Sequence, residues 1–140
     1  MKKYIYLPHA ADEKFQAFGK SLEESFKNAA YALVNIVTRD KIKAKVKHKI
    51  KITSENKEAL LYDFLEQFLI LLDSKHFLLS KISKLEIIEK NKKLTLTAEI
   101  TGDNKPENYA IRTHVKAITY EYMFIKHEKG KWTLQVLVDI

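Results

Sequence analysis

In Lys41-Ile42-Lys43-Ala44-Lys45-Val46-Lys47-His48-Lys49-Ile50-Lys51 every odd position is lysine, while Ile42, Ala44, Val46, His48 and Ile50 fill the even positions and Ile52 continues them. Successive side chains of a strand point to opposite faces, so this period of two predicts a strand over 41–51 with one cationic and one mainly apolar face. His48 falls on the apolar side, where a half-buried histidine with a hydrogen-bonding partner is the commoner outcome than a metal ligand. The lysine row reads either as a solvated face that discourages edge pairing or as a surface for RNA or another acidic partner.

On the C-terminal side of this strand, Leu60, Leu61, Phe64, Leu65, Phe68, Leu69, Leu71 and Leu72 predict a helix over 56–73. It is apolar around most of its circumference and belongs at the heart of the core. On the N-terminal side, Gly19 precedes Ser21 and Glu24, which form a capping box. Leu22, Phe26, Ala29, Ala30, Leu33 and Val37 then follow at helical spacing, predicting a helix over 22–37. Residues 2–7 read as a first strand. Strands near 82–90 and 93–101 meet at an Asn91-Lys92 turn, and Gly102-Asp103-Asn104-Lys105-Pro106 is a loop. Two further strands, 109–127 and 131–140, join at Lys129-Gly130. The expected product is a single α+β domain over residues 1–140: two long helices packed on a mostly antiparallel β-sheet.

The 140-residue chain is long enough to bury a core without staples, and 46% hydrophobic residues with seven Phe and seven Tyr argue for an ordered globule. It has no Cys, which excludes disulfides, thiol nucleophiles and cysteine-type zinc sites. The opening apolar run is too short for a signal peptide, and nothing approaches the ~18 apolar residues of a membrane span. A cytoplasmic protein with no membrane partner is the expectation. The net charge is +7, carried almost wholly by lysine, with Arg39 and Arg112 the only arginines. Lysine is a hydrated point charge without arginine's bidentate fork, so the balance suits diffuse attraction to something acidic rather than base-specific reading.

Catalytic signatures are missing. The sequence has no glycine-rich phosphate loop, no Gly-x-Ser-x-Gly elbow and no His-Glu-x-x-His helix. His9, His48, His76, His114 and His127 are scattered without ligand-like spacing. A metal-dependent hydrolase therefore lacks a base or nucleophile. Two acidic features remain. Asp12, with His9 before it and Glu13 beside it, follows the first strand and is either a plain turn residue or a ligand. At the other end, Trp132-Thr133-Leu134-Gln135-Val136-Leu137-Val138 reads as a buried strand running to Asp139 and Ile140. That strand holds the Asp139 carboxylate and the α-carboxylate of Ile140 one residue apart. Such a pair either finishes a sheet in solvent or contributes oxygens to a hard cation such as Ca²⁺ or Mg²⁺.

Three stretches together resemble the archease family. His9-Ala10-Ala11-Asp12, followed by Gly19 and Ser21-Leu22-Glu23-Glu24, is similar to the family's opening motif. Leu60-Leu61-Tyr62-Asp63-Phe64-Leu65, ending Leu71-Leu72-Asp73, is similar to its second helix. Val115-Lys116-Ala117-Ile118-Thr119-Tyr120 and the closing Val138-Asp139-Ile140 resemble its last two signatures. The resemblance implies a non-enzymatic accessory protein that promotes guanylylation and turnover of the GTP-dependent RNA-splicing ligase, which joins tRNA halves. It also implies a divalent cation, calcium in the family, held by Asp12, Asp139 and the α-carboxylate of Ile140, with Lys116 supporting activation. The ligase is the implied partner, and tRNA is met indirectly or through the lysine face. Two carboxylates ~4 Å apart repel by about 4 kcal/mol at an effective dielectric near 20, so three together call for a cation or a proton. Oxygen-only ligation suits calcium or magnesium rather than zinc or copper. Two positions depart from the family pattern. Ala10 stands where the family has threonine, and Glu121 where a histidine commonly follows the Thr-Tyr pair. Glu121 either tightens a cation site or is solvated.

Overall fold

The lysine alternation becomes a strand only from Val46 in the computed structural model, which describes residues 1–9 and 11–140. This strand follows two short strands, β1 (Tyr4–Leu7) and β2 (Glu13–Gly19), and the helix α1 (Leu22–Val37); it is β3 (Val46–Ser54). Next come α2 (Lys57–Lys75), β4 (Leu78–Lys90), β5 (Lys93–Asp103), a short 3₁₀ turn at Pro106–Asn108, β6 (Ala117–Glu128) and β7 (Lys131–Asp139). The strands form two sheets, ordered β1-β2-β7-β6 and β3-β5-β4. Every pairing is antiparallel. The α+β class and the two long helices match expectation, with the antiparallel strands divided between two sheets.

Residues 41–45 lie outside β3 because the ladder with β5 closes at Val46–Gly102. Side chains tie this segment down instead. Ser80 Oγ donates to the Ile42 carbonyl at 2.7 Å, and the Lys43 N–H donates to Tyr109 Oη at 3.1 Å. The expected strand 109–127 likewise begins only at Ala117. Upstream of it, the Arg112 N–H donates to the Val37 carbonyl at 2.8 Å, so this stretch caps the end of α1 rather than joining a sheet. The sequence reading also missed β2, which holds alanine and glycine among its seven residues and shows only a short alternation.

Local chemistry fixed the helix starts. Ser21 Oγ accepts from the Glu24 N–H at 3.0 Å, and Glu24 Oε1 accepts in return from the Lys20 N–H at 3.0 Å. Gly19 is needed where β2 turns into α1, because a Cβ there would meet the Ser21 carbonyl oxygen at 2.8 Å and the Ser25 amide nitrogen. Both expected hairpin turns have two consecutive residues of positive φ, Asn91 and Lys92 (53° and 64°) and Lys129 and Gly130 (52° and 72°). That geometry matches the right-handed twist of the flanking strands.

Each helix packs against strands of both sheets, so the helical layer fills the space between them. Phe15 from β2, Phe26 and Leu33 from α1, Phe64 from α2, Leu96 and Ile100 from β5 and Leu134 from β7 are all at most 1% exposed. They belong to one core cluster. The centroids of Phe26 and Phe64 are 5.8 Å apart where the helices meet.

Candidate metal centre

The β2–β7 ladder ends at the pair Glu13–Val138. Asp12 immediately precedes that rung and Asp139 immediately follows it, so the connection between β1 and β2 adjoins the C-terminal end of β7 at one end of the first sheet. On the other side of β7, Ala117 is the partner of Asp139, and the Lys116 N–H donates to the Asp139 carbonyl at 2.8 Å. Asp12, Asp139, Ile140 and Lys116 are thus carried by three neighbouring strands.

Alternation along β7 explains how the terminus is held. Leu134, Val136 and Val138 are fully buried toward the helices, Gln135 and Leu137 on the other face are buried as well, and Asp139 is exposed only because it lies just past this buried run. Ile140 returns to the inner side and packs against the core. An apolar last side chain therefore anchors the main chain that carries the α-carboxylate. Asp12 is half-buried, with Oδ2 3.7 Å from His9 Nδ1. His9 Nδ1 is buried and has no hydrogen-bond partner among the described residues. The His9 ring stands edge-on to Tyr122, centroids 5.8 Å apart, and Lys14 Nζ lies 5.3 Å from the centre of the Tyr122 ring.

Among the described residues no three His, Asp or Glu side chains gather at metal-ligating distance. A cation at this sheet end would draw on the carboxylates of Asp12 and Asp139, the α-carboxylate of Ile140 and further oxygens from water or a partner. That oxygen-only donor set fits a hard cation such as Ca²⁺, which takes six to eight oxygens, or Mg²⁺. Ala10 lies outside the described residues. Glu121 is exposed, within a looped-out part of β6.

That loop-out was not visible in the sequence. The β6–β7 register passes from Thr119–Leu137 to Phe124–Gln135, so residues 120–123 oppose Val136 alone. Tyr122 takes a left-handed φ of 60°, a conformation a bulky residue rarely adopts. Buried Gln135 holds it there: its Nε2 donates to the Tyr122 carbonyl at 2.9 Å, while its Oε1 accepts from Gln16 Nε2 at 2.9 Å. Tyr120 stacks on Tyr62 of α2 at 4.4 Å. Both tyrosines of the loop-out remain more than half exposed, at 54% and 57%. Lys116 is exposed at the rim of a cavity of about 420 Å³ lined by Glu66, Ile70, Asp73, Ile111 and His114 among others. Only the packing of α2 against the segment before β6 creates this cavity.

Residues 4–140 match the Archease protein family (MTH1598/TM1083). The chain is 36% identical to the protein archease of Methanosarcina mazei over 141 residues, covering 99% of this chain and 97% of that one. It is 37% identical to the protein archease of Sulfurisphaera tokodaii over 142 residues, with both chains covered completely. The solution structure of Methanobacterium thermoautotrophicum protein 1598 superposes with a TM-score of 0.88 at 37% identity over the whole of both chains. A Thermotoga maritima crystal structure, described as an archease and possible chaperone, shares the fold at a TM-score of 0.63 and 18% identity, covering 100% of this chain and 98% of that one. A family model spanning nearly the whole sequence, with full-length relatives and a matching fold, places this chain in the archease family.

Proposed function

We propose that this archease is a cation-dependent accessory protein that activates a GTP-dependent RNA-splicing ligase, promoting its guanylylation and turnover without catalysing ligation itself. The observation that carries the reading is the Glu13–Val138 rung, which brings the flanking Asp12 and Asp139 to one sheet end beside the chain terminus. In this reading Asp12, Asp139 and the α-carboxylate of Ile140 hold the cation. A bound hard divalent ion supplies a compact positive centre for phosphate oxygens. Ile140 packs its side chain on the core and so limits the freedom of the carboxylate it carries. Lys116 is held to β7 through its own N–H, leaving its exposed ammonium to act as a mobile point charge toward a nucleotide phosphate in the ligase. The exposed rings of Tyr120 and Tyr122 give the same sheet end an apolar rim of the kind that anchors protein partners.

The test follows the ligase–GMP adduct formed from GTP, with and without this protein and with calcium present or chelated. Wild-type protein accelerates adduct formation, Asp139→Ala abolishes the acceleration and Lys116→Ala weakens it. An Asp139→Ala protein as active as wild type would refute the proposal.

A further inference from the structure

The outer face of the β3-β5-β4 sheet has no helix over it, and its composition follows a pattern. Reading across the strands, Lys47, Thr101 and Lys81 form one row, Lys49, Glu99 and Lys84 the next, and Lys51, Thr97 and Glu86 a third. All five lysines are exposed, whereas Thr97 and Thr101 on the central strand are short and partly covered. Three lysines of β3 and Lys81 and Lys84 of β4 thus flank a middle line of Thr101, Glu99 and Thr97, in which only Glu99 is long and exposed. A depression of about 280 Å³ lies between them, lined by Lys49, Lys51, Lys84, Thr97 and Glu99 among others.

The β4 side of this trough depends on irregular register. Shifts in the β4–β5 ladder fall between Leu79 and Lys81 and between Ile82 and Lys84. The second leaves Ser83 unpaired, with its Oγ donating to the Glu99 carbonyl at 3.1 Å. In a regular ladder Ser83 would pair with Glu99 and Lys84 would fall opposite Ala98, facing inward; because Ser83 bulges out, Lys81 and Lys84 both face out.

We infer that this face is a binding site for the sugar-phosphate backbone of single-stranded nucleic acid, separate from the cation-bearing end of the other sheet. Charge complementarity carries the inference: five lysines stand against two glutamates on the face, and among the described residues only Lys84 is paired, with Glu86 Oε1 3.5 Å from its Nζ in an exposed, solvent-screened contact. Geometry narrows it. Strand spacing sets the two lysine lines about 10 Å apart, and same-face lysines of β3 recur every ~7 Å. That width admits one backbone rather than a duplex, and that repeat offers successive charges to successive phosphates. Across these rows the face is Lys, Glu and Thr, without arginine or aromatic residues, and the next row, Thr53, Thr95 and Ile88, adds a single exposed aliphatic side chain. Such a composition lacks the anchors of protein–protein interfaces and the stacking platforms that read bases. Binding is therefore sequence-independent and steeply salt-sensitive.

Fluorescence anisotropy with a labelled twelve-nucleotide oligouridylate tests this. Single-strand binding has a log–log salt slope of about −0.7 per phosphate contact, so contacts from all five lysines give a slope of about −3.5 and a loss of about 100-fold between 50 and 200 mM salt. The triple variant Lys47→Gln, Lys49→Gln, Lys51→Gln should lower the slope by about 2 and weaken binding at least tenfold at 50 mM salt. Lys81→Gln with Lys84→Gln should act in the same direction. Glu99→Gln should tighten binding several-fold, an effect a purely structural role would not produce. Melting temperature and calcium response should stay at wild-type values in all three, so the result stands apart from the outcome of the ligase assay. Three outcomes would overturn the inference: no binding at 50 mM salt, wild-type binding by the triple variant, or competition by polyglutamate as effective as by unlabelled oligonucleotide.

Discussion

Extending the chain beyond Ile140 by a short neutral tail such as Gly-Ser-Gly isolates the role of the terminal carboxylate. The extension leaves the Ile140 side chain on the core and the Lys116–Asp139 main-chain hydrogen bond in place. Without calcium, the extended protein should therefore melt with the wild type. A ligand that binds only the folded state stabilises it by RT ln(1 + [L]/Kd), about 1.4 kcal/mol at ten times Kd and about 2.7 kcal/mol at one hundred times. With an unfolding entropy of about 2.1 cal/mol/K per residue, a chain of 140 residues loses roughly 0.29 kcal/mol of stability per degree at its melting point. Saturating calcium should then raise the wild-type melting temperature by about 5 °C at ten times Kd and about 9 °C at one hundred times. In the extended protein an amide replaces the terminal anion, and the rise should shrink to a degree or two. Differential scanning calorimetry in matched chelator and calcium buffers measures both. An extended protein with the full wild-type shift would show that the α-carboxylate does not hold the ion.

Two further outcomes follow from the fold. At Tyr122, the left-handed φ of 60° costs a residue with a Cβ about 1–2 kcal/mol, so Tyr122→Gly should be more stable than Tyr122→Ala by about 1 kcal/mol in chemical denaturation. This reverses the usual order of the two residues in a strand, and an alanine variant as stable as the glycine variant would refute the strain. At Asp103, the Tyr109 hydroxyl donating at 2.6 Å holds the carboxyl below its ordinary range, with lesser help from the Lys105 N–H and the Lys45 charge. The stability linked to this depressed value is present above the unfolded aspartate range, near pH 4, and lost as pH falls through the folded value. The gap in melting temperature between wild type and Tyr109→Phe should accordingly be widest at neutral pH and narrow in acid; a gap independent of pH would count against the linkage.

Where the sequence was readable, the reason was local. The capping box Ser21–Glu24, the apolar surface of α2 and the turns at Asn91-Lys92 and Lys129-Gly130 each depend on residues a few positions apart. The strand β2 was hidden because Ala17, Phe18 and Gly19 blur its alternation, and its central place comes from pairing with β1 and β7. Residues 41–45 and 109–116 looked like strand, but the main chain at 42 and 43 bonds to side chains and that at 112 and 113 to the end of α1, while Lys45 and Lys116 alone reach a neighbouring strand within these segments. Asp12 and Asp139 were each visible as acidic residues near strand ends, and the family resemblance suggested that they act together. Their adjacency across β2 and β7 is a matter of register that no short window of sequence contains.

Taken alone, the sequence determined the α+β class, both long helices, most strands and the cationic character of β3. These follow from side-chain periodicity and backbone sterics acting between near neighbours. The division into two sheets, the β6 loop-out at Tyr122, the outward turn of Lys81 and Lys84, and the approach of Asp12 to the C-terminal end of β7 beside Glu13–Val138 belong to the tertiary structure. Those features depend on which distant strands pair and at what offset, and that choice is settled by burying one shared core around both helices.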